Sequence, residues 1–307
     1  MRAGRAIRPI RPLIGRLYRR CAAPFGLRTL DGMLANGLPT PLGIPLRFLF
    51  TQELPDEAIG IAVRIEDMRA EISRRPDTYR FEYSPTSLGM ARWPDHAGHG
   101  PAGAVIPSRR LANVFSVPRH WGLFLYLCAD ALAARAILEV GSCVGISGAY
   151  LASARPPARF ITIEGSPAIA PIAEETLAAV TDRAEVIRAP FDTGLEEAIA
   201  RFAREQLPID VAFIDGHHEE AATLHYVETV IPRLSRDAVV ILDDIHLTSG
   251  TERAWQSLAR TSGIAAAVDV GRFGLLVWNA GDTTGARYDL SRYTGWWPVG
   301  SEHRPAG

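Results

Sequence analysis

From residue 119 onward, short apolar runs alternate with longer stretches whose apolar residues recur at helical spacing. Such runs are typical of strands buried in a parallel sheet, and the longer stretches are typical of the helices that cover it. The pattern predicts helices over residues 120–134, 146–154, 169–180, 194–205, 219–234 and 250–261. It predicts strands over residues 136–140, 159–163, 185–188, 209–214, 238–242, 265–270 and 273–278. We therefore expect an α/β fold with a seven-stranded, doubly wound, Rossmann-like sheet that ends in an antiparallel hairpin.

The chain before residue 119 lacks this alternation and is rich in Pro and Gly. One clear helix is predicted over Asp56–Arg74, where apolar residues fall near helical spacing. We divide the chain into a basic N-terminal tail (1–30), an accessory or cap region (31–118), the α/β domain (119–280) and a C-terminal tail (281–307). A core the size of the α/β domain, with appended segments, suits this length better than two equal domains.

The N-terminal tail is strongly basic, because eight arginines precede the first acidic residue, Asp31. It is interpreted either as a flexible arm or as a stretch that makes weak contact with an anionic membrane surface or a partner. Neither a secretory signal nor a transmembrane span is predicted. The formal net charge of −1 gives no overall attraction to nucleic acid.

Three widely spaced cysteines lack the paired spacing of a zinc site or a disulfide framework, which favours a reducing, cytoplasmic setting. The chain contains no lysine, so lysine chemistry is excluded. Whether the chain forms a homo-oligomer is left open by the sequence.

A glycine turn follows the first predicted strand of the α/β domain. Residues 137–147 read Ile-Leu-Glu-Val-Gly-Ser-Cys-Val-Gly-Ile-Ser, a buried strand that enters a turn and then a helix. Gly141 and Gly145 remove side chains where a ligand approaches the backbone, and the helix start offers free N–H groups. Their spacing differs from the Gly-x-Gly-x-x-Gly of a dinucleotide fold. A purely structural turn explains the motif equally well when it is taken alone.

The second predicted strand adds a carboxylate. Glu164 follows the apolar residues 160–163 directly, beside the glycine turn. A carboxylate at this point of a doubly wound sheet can accept hydrogen bonds from both ribose hydroxyls of an adenosine. The alternative is a solvated strand end.

Together these motifs resemble the class I S-adenosylmethionine-dependent methyltransferases, over roughly residues 119–280. Residues 213–218 and 242–246 are similar to the bacterial macrocin-type and other metal-dependent O-methyltransferases. The resemblance implies that Gly141 and Gly145 line the methionine part of the cofactor, that Glu139 lies beside it, and that Glu164 holds the ribose. The implied cofactor-binding set is Glu139, Gly141, Ser142, Gly145, Ser147, Glu164, Asp192 and Asp215. Asp192 departs from the family pattern, because Pro190 and Phe191 precede it.

A second group of acidic residues follows the fourth and fifth predicted strands. Asp215, Asp243 and Asp244 should meet at the carboxyl edge of the sheet, where open α/β sheets place their ligands. Three converging carboxylates repel one another unless they are protonated or neutralised, and a hard divalent cation, Mg²⁺ by default, is the usual solution. In the related enzymes the matching positions hold a cation that binds the acceptor hydroxyls. The alternative is that Asp244 is satisfied by backbone N–H groups.

His218 lies three residues after Asp215, the offset at which relatives carry a catalytic base. Imidazole titrates near neutral pH, which suits removal of a proton from a hydroxyl. The alternative is that His217 and His218 cap the following helix.

The function expected from these motifs is methyl transfer from S-adenosylmethionine to an oxygen of a small-molecule or sugar-containing acceptor, with assistance from a metal. Two alternatives stay open. One is a nucleotide-binding oxidoreductase, which the glycine spacing and the closing hairpin disfavour. The other is a catalytically silent methyltransferase fold that acts as a scaffold.

Overall fold

The structure, a computed structural model, describes residues 10–80, 105–279, 281 and 285–294. Residues 1–9 of the predicted tail, 81–104 of the predicted cap and 295–307 of the predicted C-terminal tail lie outside the described residues. The helices are α1 (Ile10–Ala35), α2 (Gly43–Thr51), α3 (Asp56–Arg74), α4 (Ser108–Asn113), α5 (Arg119–Ala131), α6 (Ile146–Ala152), α7 (Ala170–Ala178), α8 (Phe191–Arg204), α9 (Glu220–Val230), α10 (Ser249–Leu258) and α11 (Ser291–Thr294). Short 3₁₀ helices span Thr40–Leu42 and Ile231–Arg233.

The strands are β1 (Thr78–Arg80), β2 (Val105–Pro107), β3 (Ala136–Val140), β4 (Arg159–Glu164), β5 (Ala184–Arg188), β6 (Ile209–Ile214), β7 (Leu234–Leu242), β8 (Ile264–Asp269), β9 (Gly274–Trp278) and β10 (Ala286–Asp289). Strands β1 and β2 form a small antiparallel pair. The other eight form one sheet in the order β10-β8-β9-β7-β6-β3-β4-β5. Only β9 runs against its neighbours β7 and β8. The predicted α/β class and the closing hairpin are confirmed.

The sheet has an eighth strand that the sequence pattern did not predict. Residues 286–289 were assigned to the C-terminal tail, but they form β10, which pairs in parallel with β8 at the edge of the sheet. Their side chains alternate between half-buried and exposed, so no apolar run marks them. Backbone pairing with β8 extends the sheet here, and Tyr288 packs against the core.

The side chains of the central strands alternate between two separate cores. In β3, Ile137 packs into one core, while Leu138 and Val140 pack into the other. The second core is closed by α8, α9 and α10, and the first by α5, α6 and the N-terminal helices. Alternation with both faces covered is the signature of a doubly wound sheet.

The N-terminal helices enlarge the first core. Helix α1 crosses the boundary predicted at residue 30, and Leu30 and Met33 are buried in this core. Helix α2 packs against α5, and α3 packs against α5 and α6. Tyr150 of α6 donates a hydrogen bond from Oη to Glu66 Oε1 of α3 at 2.9 Å, and Glu66 also pairs with the buried Arg69 at 2.9 Å. The division of the chain into domains stays a prediction.

Over the described part of the chain, no helix is both long enough and apolar enough to cross a membrane. All three cysteines are free thiols, and Cys128 is buried in the first core.

Candidate functional site

The predicted site residues follow strands that are neighbours in the sheet. Backbone hydrogen bonds continue past the strand ends and fix the loops to one another. Gly141 donates to the Ile163 carbonyl at 3.1 Å, and Asp215 donates to the Val140 carbonyl at 2.9 Å. Asp243 donates to the Ile214 carbonyl at 3.0 Å. The loops after β3, β4, β6 and β7 therefore share one edge of the sheet, where doubly wound sheets bind their ligands.

Glycine is required at both ends of the turn after β3. Gly141 has a φ of +97°, and a Cβ there would lie 2.2 Å from the backbone oxygen of Asp215. Gly145 has a φ of +83°, and a Cβ there would lie 3.1 Å from the Cα of Ala173. The first close approach brings the β3 turn directly against the loop after β6.

Four residues with side chains adopt left-handed backbone conformations in these same loops. They are Cys143 (φ 48°), His217 (57°), His218 (37°) and Asp244 (50°). Each such conformation costs on the order of 1–3 kcal/mol of folding free energy. Such residues cluster at functional sites, where the surrounding structure holds the backbone in place. The carboxyl edge of the sheet is therefore a strained region, which supports its assignment as the site.

Two glutamates are buried at the β3 and β4 ends. Glu139 is fully buried, and its Oε2 accepts a hydrogen bond from the Thr162 hydroxyl at 2.7 Å. Glu164 is buried, and its two oxygens accept backbone N–H bonds from Cys143 and Ser166, each at 2.8 Å. Burial raises the pKa of each carboxyl to about 7. These carboxylates are therefore costly without a positive charge nearby.

The other predicted cofactor residues divide into two groups. Ser142 lies in the turn and Ser147 in the first turn of α6, and both are buried beside the two glutamates. Asp192 lies in the first turn of α8 with 72% of its side chain exposed, and its Oδ1 is 4.0 Å from Nε2 of His225. The structure brings the serines to the site and does not place Asp192 among them.

Several buried polar atoms at this end lack a hydrogen-bond partner within the described part of the chain. They are Glu139 Oε1, Ser142 Oγ and Ser166 Oγ. A buried polar atom without a partner costs about 1–3 kcal/mol, and a bound ligand can relieve that cost. Together with the close backbone approach at Gly141, these atoms fit a polar, positively charged ligand such as S-adenosylmethionine.

The acidic residues after β6 and β7 meet as predicted, but an arginine lies among them. Arg272, in the turn between β8 and β9, donates from Nε and Nη2 to the two oxygens of Asp243 at 2.7 and 2.6 Å. Its Nε lies 3.9 Å from Oδ1 of Asp244. On the other side of the cluster, His218 Nε2 lies 3.4 Å from Oδ1 of Asp215.

Arg272 makes the pKa values of the half-buried Asp215 and the buried Asp243 differ in direction. Burial and the neighbouring Asp243 charge raise the pKa of Asp215 well above its ordinary value. Burial alone would raise the pKa of Asp243 as well, but the Arg272 charge and its hydrogen bonds lower it. Asp215 therefore holds a proton more readily, and Asp243 is the ionised partner.

The predicted metal ligands do not fit a divalent cation in this arrangement. Both oxygens of Asp243 already accept from Arg272, whose charge lies beside Asp244 as well. Within the ranges that the structure describes, no group of three or more His, Cys, Asp or Glu side chains could hold a metal ion. A cation would have to displace the guanidinium.

Sequence reasoning did not place Arg272 in the site, and it did not foresee that His246 pairs with Asp269. His246 Nε2 lies 2.8 Å from Oδ2 of Asp269 at the end of β8, and this contact raises the pKa of His246. The predicted hairpin was the feature of the sequence that could have placed Arg272 near the acidic residues. Its turn, residues 270–273, must lie at the same edge as the loop after β7, because β9 runs antiparallel to β7.

The strand order and the glycine turn are those of a doubly wound, Rossmann-like domain. Residues 138–245 match a family described as "Methyltransferase domain". About a third of the chain is therefore similar to a methyltransferase domain.

Individual proteins show the same likeness. Over 133 residues the chain is 34% identical to a catechol O-methyltransferase of Mycobacterium tuberculosis, and the match covers 42% of this chain and 57% of that protein. The structure is similar to the O-methyltransferase TomG of Streptomyces achromogenes, in complex with SAM (24% identity, TM-score 0.46, covering 53% of this chain and 82% of that one). It is also similar to an O-methyltransferase of Bacillus cereus in complex with SAH (20% identity, TM-score 0.48, covering 75% and 94%).

Proposed function

We propose that this protein transfers a methyl group from S-adenosylmethionine to an oxygen nucleophile of a small-molecule or sugar-containing acceptor. The observation that carries the proposal is the pair of buried glutamates, Glu139 and Glu164, at the glycine turn after β3. Their burial is unfavourable unless a cation binds there, and the cofactor carries positive charge on its sulfonium and amino groups. Bound S-adenosylmethionine would supply the electrophilic methyl group.

The cofactor half of the site is proposed to consist of Glu139, Gly141, Ser142, Gly145, Ser147 and Glu164. Each oxygen of Glu164 accepts one backbone N–H bond and keeps a second lone pair, which a ribose hydroxyl can use. Gly141 and Gly145 let the methionine part approach the backbone. Asp192 is left outside this set, because its side chain is mostly exposed.

The acceptor half is proposed to hold His218 as the general base. Its side chain is largely buried beside Asp215, and the strained backbone of His217 and His218 fixes its position. A carboxyl group beside an imidazole orients the ring for proton transfer. His218 would take the proton of the acceptor hydroxyl as the oxygen attacks the methyl group. No step of this proposal passes through a Mg²⁺ ion, because Asp243 is already paired with Arg272.

Catechol is the first acceptor to test. The relative from Mycobacterium tuberculosis, to which the chain is 34% identical over 133 residues, is named a catechol O-methyltransferase. A panel of phenols, catechols and sugar-containing alcohols then asks which class of hydroxyl is used.

The experiment has two arms. Calorimetry with S-adenosylhomocysteine and with NADH on the full chain separates a methyltransferase from an oxidoreductase, and we expect micromolar binding of the former alone. Incubation with radiolabelled S-adenosylmethionine and the acceptor panel then detects transfer. Binding of NADH alone would favour an oxidoreductase. Cofactor binding without transfer to any acceptor would favour a silent scaffold.

A further inference from the structure

We propose that Arg272 occupies the place of a divalent cation among Asp215, Asp243 and Asp244, so that this site is neutralised by a guanidinium and binds no metal. The consequence that methyl transfer proceeds without a cation rests on the proposed function. The inference that Arg272 takes the place of a cation does not depend on that function.

The contacts of Arg272 are those of a permanent counter-ion. Two of its nitrogens bond the two oxygens of Asp243 at 2.7 and 2.6 Å, the fork-to-fork geometry of an arginine–carboxylate pair. The Asp243 side chain is 1% exposed and the Arg272 side chain 17%, so solvent barely reaches the pair. Asp244 lies 3.9 Å away on the same guanidinium.

The backbone holds Arg272 in this position. Its carbonyl accepts a hydrogen bond from Ile245 at 3.3 Å, which ties the hairpin turn to the loop that carries Asp243 and Asp244. The next residue, Phe273, is fully buried, and its ring contacts Trp121 at a centroid distance of 4.8 Å. The guanidinium is therefore delivered by an anchored turn and not by a mobile surface loop.

A guanidinium and a divalent cation cannot share these carboxylates. A hard cation takes six or more oxygen ligands at about 2.0–2.6 Å, so Asp243 would have to surrender both bonds to Arg272. The cation would also lie beside a guanidinium that stays charged at every accessible pH. The single fixed charge of Arg272 replaces the cation's neutralising role but offers no open coordination position for an acceptor.

Manganese titration of the full chain tests this inference, with electron paramagnetic resonance reporting free Mn²⁺. The wild-type protein should leave Mn²⁺ free up to millimolar concentration. Arg272→Ala exposes the carboxylates without a counter-ion and should bind Mn²⁺ at least tenfold more tightly. The matched control is Arg253→Ala, because Arg253 pairs with Glu220 on the exposed surface at 2.7 Å and should not change Mn²⁺ binding.

Arg272→Gln is the second variant, in case Arg272→Ala does not fold. Its amide removes the charge but can still donate a hydrogen bond to one Asp243 oxygen. Mn²⁺ binding by the wild type that Asp243→Asn abolishes would overturn the inference. Failure of both folded Arg272 variants to gain Mn²⁺ would overturn it as well. Calorimetry with S-adenosylhomocysteine on the same samples tests the proposed function separately, because it measures ligand binding at the β3 and β4 ends of the site.

Discussion

The two halves of the site handle buried negative charge in opposite ways. At the β3 and β4 ends, Glu139 and Glu164 are buried with hydroxyl and backbone N–H donors, and no arginine in the described part of the chain pairs with either. Burial raises the pKa of each carboxyl to about 7. At the β6 and β7 ends, Asp243 is equally buried but pairs with Arg272, and its pKa is lowered. The first half is left for a cationic ligand to neutralise, whereas the second is neutralised by the protein itself.

This difference indicates what each half requires from outside the chain. A half that carries its own counter-ion is complete when folded and can be devoted to positioning an acceptor and moving a proton. A half with uncompensated carboxylates gains stability when a cation binds, which makes it a binding site. Four predictions test this division, in order of expected effect.

The largest effect is expected in the acceptor half. His218→Ala should lower the rate of methyl transfer by roughly 10² to 10⁴, the usual range for a general base, while the affinity for S-adenosylhomocysteine changes little. Single-turnover methylation with the acceptor found in the panel measures the rate. His225→Ala is the matched control, because His225 is 59% exposed on α9. Unchanged turnover in His218→Ala would return this histidine to a structural role in the loop.

Asp243→Asn should destabilise the fold, because it leaves the buried Arg272 without its charged partner. Breaking one side of a buried ion pair costs about 3–5 kcal/mol. The control is Asp31→Asn, whose pair with Arg47 is on the surface, with side chains 58% and 46% exposed, and should cost under about 1 kcal/mol. Urea unfolding measures both. Equal costs for the two variants would mean that Asp243 and Arg272 are not a desolvated pair.

In the cofactor half, Glu164→Ala should weaken S-adenosylhomocysteine binding by about 1.5–3 kcal/mol, as loss of charge-assisted hydrogen bonds does. Glu164→Gln keeps one acceptor oxygen for the loop and should lose less. Glu174→Ala removes an exposed glutamate that pairs with Arg188 and serves as the control. Calorimetry measures the affinity of each variant for S-adenosylhomocysteine. Full affinity in Glu164→Ala would contradict the proposal that Glu164 binds the ribose.

The smallest effect concerns pH. The pKa of Glu139 is raised from an ordinary value of 4.5 to about 7, so the folded protein holds a proton that the unfolded chain releases. The stability that this proton contributes is present below pH 4.5 and is lost as pH rises through 7. Relative to Glu139→Gln, the ligand-free wild type should lose roughly 1–2 kcal/mol between pH 5 and pH 8. Urea unfolding at the two pH values tests this, and saturating S-adenosylmethionine should reduce the loss. A difference that does not change with pH would contradict the assignment of Glu139.

The arrangement of the residues in the proposed cofactor half could be predicted because its signals are local. The strand, the two glycines and Glu164 follow one another within a short stretch, and the apolar alternation that places them is a property of the sequence alone. The sheet order then follows from the rules for doubly wound folds. The same reasoning brought Asp215, Asp243 and Asp244 together correctly.

The missed features depend on tertiary contacts. Arg272 bonds Asp243, 29 residues earlier, and nothing in the local sequence of a hairpin turn indicates which side chain will face the cluster. Strand β10 has no apolar run, because it lies at the sheet edge and its side chains alternate between half-buried and exposed. Helix α1 was taken for a tail up to residue 30 because its arginines obscured the apolar Leu30 and Met33, which are buried.

The contact between Gly141 and Asp215 links the two halves mechanically. With only 2.2 Å between a would-be Cβ and the Asp215 oxygen, the turn after β3 cannot shift toward the β6 loop without pushing it. The loop that would seat the cofactor and the loop that carries Asp215 and His218 therefore pack against each other with no room for a side chain between them. Attempts to change acceptor preference by redesigning residues 215–218 should keep position 141 unaltered, because any side chain there would displace the very loop being redesigned.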